Sequence, residues 1–195
     1  MCSSDPALPK EVKCAKCMGI AIFVFAILSM IGFIGGAIAG GVAGIMACVA
    51  SSILMCCGPK ADGTGAGKEL AATILYILAG IVHFVGAVLA LLWYLALAED
   101  VKKHCDDLCK DWETDWWAEY ESRAECDAYY DQTCKDYESA TLGFLAILIF
   151  PTVAFCVACG ILEIIGAVLC FKAKKAVEAS AGGAAAAKDA NPVNV

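Results

Sequence analysis

The chain has 195 residues and a formal net charge of −7; 61% of it is hydrophobic and the mean hydropathy is +0.72. That balance belongs to an integral membrane protein and excludes an ordinary soluble domain. No phosphate loop, catalytic triad or cofactor motif can be read, and an acidic chain without a basic stripe is no nucleic-acid binder.

Residues 1–17 are mostly polar and read as a cytosolic N-terminus. They do not have the form of a cleavable signal peptide, so the first span is expected to act as an uncleaved signal anchor. Residue 2 is Cys2 rather than glycine, which excludes N-myristoylation.

Residues 18–57 form a run of 40 without a charge. A hydrocarbon core about 30 Å thick needs roughly 20 helical residues, so this run predicts transmembrane helices 1 and 2 joined by a tight hairpin near 35–41. Gly32, Gly36, Gly40 and Gly44 recur every four residues. Some of these glycines serve the turn, where the missing Cβ relieves strain, and the others are expected to pack the two helices together. A continuous glycine zipper driving oligomers is the competing reading.

Residues 58–70 read as a cytosolic loop. Residues 71–98 predict transmembrane helix 3 and residues 140–171 predict transmembrane helix 4. Their only ionisable side chains are His83 and Glu163, respectively. Continuous apolar runs without strict alternation favour helices over a barrel. Between them lies an acidic outer loop, residues 99–139. Residues 99–138 hold 14 acidic and 5 basic side chains, and the remaining lysines sit at the opposite ends of the spans. By the positive-inside rule both termini face the cytosol and the loop faces outward or into a lumen. Trp93 and Tyr94 then fall at the outer interface, where amphipathic aromatics settle.

In the loop, Val101, Cys105, Leu108, Trp112 and Trp116 follow helical spacing, as do Cys126, Tyr130, Cys134 and Tyr137. Ser122 with Glu125 three residues later reads as a capping box. These features predict a small helical hairpin. A segment this short cannot bury enough apolar surface to hold itself, so disulfides are expected, with nested pairs Cys105–Cys134 and Cys109–Cys126 favoured among three connectivities. Zinc held by the same four residues is the rival, and no metal site is expected. Trp116, Trp117, Tyr120, Tyr129 and Tyr130 exceed the needs of so small a core and are candidate partner-binding residues.

Cys14, Cys17, Cys56, Cys57 and Cys170 lie at the cytoplasmic ends of spans and are candidates for S-palmitoylation, with plain thiols as the alternative. Residues 172–195 are Ala-, Gly- and Lys-rich and are expected to be a disordered cytosolic tail, ending in a weak PDZ-ligand pattern, Val193-Asn194-Val195.

His83 and Glu163 lie at depths that differ by about 6 Å, so a contact within the bundle is feasible. The structural expectation is a hydrogen bond with Glu163 protonated. The functional alternative is an ion or proton conductor.

Four spans, cytosolic termini, a cysteine-bearing loop between spans 3 and 4, and the step Leu54-Met55-Cys56-Cys57-Gly58 resemble the tetraspanins, in which an acidic residue in span 4, here Glu163, is also common. The second Cys-Cys-Gly of that family has no counterpart between Glu99 and Glu138. The layout is similar to MARVEL-type proteins as well. Either resemblance implies a non-enzymatic membrane organiser or trafficking adaptor that works by lateral association. Its partners would be membrane lipids and other membrane proteins, in a homo- or hetero-oligomer. The expected location is the plasma membrane or secretory pathway, with the mitochondrial inner membrane as the alternative. Cys156-x-x-Cys159 in a four-helix bundle resembles quinone-linked thiol oxidoreductases of the vitamin K epoxide reductase type, which would make the chain an enzyme. No cofactor is expected. The predicted fold class is all-α: a four-helix transmembrane bundle capped by a disulfide-stapled helical hairpin.

Overall fold

A computed structural model describes residues 8–34, 38–58, 67–107 and 123–189. The described residues form four α-helices: α1 (Lys10–Ile34), α2 (Ile38–Cys56), α3 (Lys68–Asp107) and α4 (Arg123–Asp189). Three segments are long and apolar enough to cross a membrane: Lys10–Met30, Lys68–Lys103 and Cys134–Ser180. The fourth apolar segment, Gly40–Cys56, is shorter.

All four expected apolar helices are present, but three of them outrun their charge-free segments, α1 by starting at Lys10, ahead of the run that begins at Met18. α3 has 40 residues and α4 has 67. A charge ends a hydrophobic run without ending a helix, since Glu, Lys and Arg are good helix formers. Ser122, the expected cap, lies outside the described residues, and α4 is described from Arg123. Residues 172–189, expected to be disordered, continue α4 instead. Their alanines have the highest helix propensity, and Lys174 and Glu178 add a weak exposed i,i+4 pair at 3.7 Å.

The chain divides into two compact units. The first comprises Met1–Gly86 and Phe155–Val195. Its core is made of small residues: Ala15, Ala26, Ala43, Ala47, Ala50, Ala72, Ala79, Ala167 and Ala173 are all buried, with Tyr76, Ile22 and Leu54 as the large inserts. Its large aliphatic side chains point the other way, with Val24, Ile45, Ile74 and Ile81 exposed. Small residues let helix backbones approach closely where no hydrophobic drive acts between them, as in lipid.

α2 packs on α1 through its glycines. A Cβ at Gly44 would stand 2.8 Å from the carbonyl oxygen of Ala26, and one at Gly40 would lie 3.4 Å from Ser29 Oγ. These contacts run in opposite chain directions, so α1 and α2 are antiparallel; residues 35–37, within the expected hairpin turn, lie outside the described residues. α3 and α4 are also antiparallel: Gly160 faces Phe84, Gly80 faces Glu163, and Gly166 faces Tyr76. Phe25 and Phe155 add a ring contact between α1 and α4, with centroids 6.3 Å apart.

The second unit is Ala87–Ala154. Trp93, Leu95, Phe144 and Ile147 are exposed in it, and Tyr94 meets Phe150 with ring centroids 5.7 Å apart. Pro151 sits inside α4 and cannot donate to the carbonyl of Ile147. The hydroxyl of the adjacent Thr152 donates to the Leu148 carbonyl at 2.8 Å.

The stapled hairpin is corrected in one respect. Cys134 is not in a disulfide, so the pair Cys105–Cys134 is not formed. Trp116, Trp117, Tyr120 and Cys109 lie outside the described residues; the side chains of Cys105, Cys126, Tyr129 and Tyr130 do too.

Candidate functional site

The most polar point of the first unit is a chain of three side chains from three helices. His83 on α3 is fully buried, Glu163 on α4 is 2% exposed and Ser29 on α1 is 4% exposed. His83 Nδ1 lies 2.8 Å from Glu163 Oε2, and His83 Nε2 lies 2.9 Å from Ser29 Oγ. Ser29 Oγ in turn donates to the backbone carbonyl of Gly40 on α2, at 2.9 Å. All four helices therefore contribute to one hydrogen-bonded line.

The line has a fixed direction. A carbonyl oxygen only accepts, so the Ser29 hydrogen is committed to Gly40. Ser29 Oγ then accepts from His83, which places a proton on Nε2. One further proton is shared between Nδ1 and Glu163 Oε2. Serine, histidine and a carboxylate in this sequence resemble a nucleophilic triad, but the polarity is reversed. In a triad the histidine takes the serine proton. Here the imidazole N–H donates a hydrogen bond to the serine oxygen, which is not activated as a nucleophile. Chemically the arrangement does something else: it satisfies both imidazole nitrogens inside an apolar bundle, where an unpaired polar group is costly.

The sequence places Glu163 on a small-residue face, and the packing explains why such a face is needed. A Cβ added at Gly160, one turn before Glu163, would stand 3.0 Å from the Phe84 ring, and one at Gly80 would stand 3.3 Å from the Gly160 carbonyl. The two backbones are thus drawn together beside the His83–Glu163 contact, and side chains there would push the pair apart.

A second interhelical bond lies nearer the lysine-bearing end. Ser51 Oγ on α2 and Tyr76 Oη on α3 are 2.8 Å apart and both residues are fully buried. Glu69, also fully buried, accepts from the Gly67 backbone N–H through Oε2 at 2.9 Å, capping the start of α3 beside a glycine with φ of 93°. Its other oxygen, Oε1, has no hydrogen-bond partner among the described residues.

Of the residues singled out in the sequence, His83 and Glu163 are brought together. Cys156 and Cys159 are buried thiols on the same helix as Glu163. Among the candidate acylation sites, Cys14, Cys56 and Cys57 are exposed thiols, Cys170 is buried at 0% exposure, and Cys17 is disulfide-bonded. Ser29, Ser51, Tyr76 and Glu69 were not foreseen. The signal for Ser29 was available: a buried imidazole has two nitrogens to satisfy, so His83 needed a second partner beyond Glu163. No group of three or more His, Cys, Asp or Glu side chains among the described residues is arranged to hold a metal ion.

No protein-family model matches the chain, and no curated protein or solved structure does either.

Proposed function

We propose that this chain is a four-span membrane protein of structural rather than catalytic role, which gathers partners by lateral association in the bilayer. α2 is the fourth span: 19 residues rise about 28 Å, close to the thickness of the hydrocarbon core. The observation that carries the reading is the inversion of polarity in the first unit. Alanine, glycine and a closed polar line lie inside, while the large aliphatic side chains face outward. That distribution fits a bundle solvated by lipid and held together by close backbone contact and interhelical hydrogen bonds.

The tetraspanin-like or MARVEL-like layout belongs to this proposal, as do cytosolic termini and an outward-facing segment 99–139. Trp116, Trp117, Tyr120, Tyr129 and Tyr130 are the partner-binding residues of that segment. Acylation is assigned to Cys14, Cys56 and Cys57, whose exposed thiols sit at the lysine-bearing ends of α1 and α2.

The test is self-association in a bilayer. Full-length protein labelled in two colours and reconstituted at decreasing protein-to-lipid ratio is expected to retain energy transfer above the random-proximity curve. Transfer that follows the random curve at every dilution would rule out homotypic association.

One observation favours a second reading, a proton conductor. The line from Glu163 through His83 and Ser29 links groups able to exchange protons. It ends on a backbone carbonyl, which cannot pass a proton onward, and so favours the structural reading. Proton flux into dye-loaded proteoliposomes that His83→Ala abolishes would reverse that preference.

A further inference from the structure

The contacts within the first unit fix a common register for its helices. α1 runs parallel to α3, with Ser29 beside His83 and Gly19 beside Tyr76. α3 runs antiparallel to α4, with Phe84 at Gly160, Gly80 at Glu163 and Tyr76 at Gly166. Continued by the helical rise toward the start of α1, these registers bring Lys10, Lys13 and Lys16 level with Lys68, and Lys68 level with Lys174. Val12, Ala72 and Ala173, which belong to one buried core cluster, confirm that the three helices remain packed at this end. Lysines far apart in sequence therefore form a collar: Lys10, Lys13 and Lys16 on α1, Lys68 on α3, and Lys172, Lys174 and Lys175 on α4.

Among the described residues, Lys13 and Lys16 each have an interaction partner, so the outward charge of the collar rests on its other lysines. Glu69 is turned inward and fully buried, Glu178 pairs with Lys174 at 3.7 Å, and Glu11 is the remaining described acid at this level. Lys10, Lys68, Lys172 and Lys175 are exposed. Immediately beneath them the surface turns apolar. Phe171 is exposed, and the Lys175 ammonium lies over its ring at 4.8 Å from the centroid. An ammonium held above an exposed aromatic at the edge of an apolar belt is the posture of a snorkelling lysine, with its stem on lipid and its charge at headgroup level. Clusters of four to eight basic residues next to spans attract anionic lipid, each lysine contributing roughly a fivefold change in partition.

We infer that this collar is a binding surface for anionic phospholipid headgroups of the adjoining leaflet, with Lys10, Lys68, Lys172 and Lys175 as its principal contacts. The inference rests on the membrane reading above. The occupant is a lipid rather than an acidic protein because lysines of three helices lie at one level, next to the apolar belt. Each also carries a stem long enough to follow the surface.

The experiment uses full-length protein reconstituted in bilayers of phosphatidylcholine, with spin-labelled phosphatidylserine or phosphatidylcholine as reporter. Motionally restricted lipid is expected to favour phosphatidylserine by at least about fivefold, and the preference is expected to collapse at high salt. The K10Q/K68Q/K172Q/K175Q variant is expected to lose it while keeping the same helicity and elution volume. Equal restriction of the two lipids, or a preference that survives both salt and the substitutions, would overturn the inference. So would a soluble polyglutamate that binds the collar more tightly than phosphatidylserine vesicles do. The salt titration needs no variant, so a misfolded substitution leaves the test intact. Failure to enter neutral bilayers at all would instead refute the membrane reading.

Discussion

Replacing His83 with alanine removes the middle of the polar line and both of its interhelical bonds, at 2.8 and 2.9 Å. Hydrogen bonds between membrane helices average about 0.6 kcal/mol each and reach about 1.7. Two of them contribute about 1–3 kcal/mol, and the space left by a fully buried imidazole adds about 1–2 more. The expected loss is about 2–5 kcal/mol, read as reversible unfolding by SDS in mixed micelles. The decisive quantity is the coupling in a double-mutant cycle. Once His83 is gone, Glu163→Ala should cost less than it does in the native chain, with an interaction energy of about 0.6–1.7 kcal/mol. Glu163→Gln keeps a donor that can reach Nδ1 and should cost about 1 kcal/mol or less. Additive single substitutions, or a His83→Ala loss under about 0.5 kcal/mol, would refute the claim that this line ties the helices together.

Three further outcomes follow from the packing. Gly44→Ala should destabilise by about 1–3 kcal/mol, because its Cβ would meet backbone of α1 at 2.8 Å, whereas Gly143→Ala, with nothing within 4 Å, should be neutral or gain up to about 1 kcal/mol by helix propensity; SDS unfolding compares them directly. Tyr76→Phe should cost about 1 kcal/mol, and Ser51→Ala should add little in that background, since both remove the same 2.8 Å bond. Acyl-exchange labelling of protein from eukaryotic cells should mark Cys14, Cys56 and Cys57 and leave Cys170 unmarked, because Cys170 is fully buried.

The helices were legible because charge-free runs are a property of composition alone. Their ends were not. Residues 99–107 and 172–189 are helical although charged or Ala-rich, and hydropathy says nothing about where a helix stops once water can solvate its side chains. The His83–Glu163 contact could be anticipated from depth, since two rare ionisable groups at matching heights have few other partners. Ser29 was obscured because a lone serine in an apolar run is common and inexpensive. Glu69 was counted with a loop, and only the packing around the start of α3 reveals that it is buried. The even cysteine count suggested nested staples, whereas Cys134 stands outside any disulfide, which spacing alone does not reveal.

Among the described residues three helices meet the length and hydropathy of a full span, and α2, the proposed fourth span, is shorter. The direct measurement is accessibility in sealed, oriented vesicles, using an impermeant probe at each terminus and in segment 99–139. The account predicts both termini on one side and segment 99–139 on the other. Termini on opposite sides would mean that α2 does not cross, and the four-span account would be wrong.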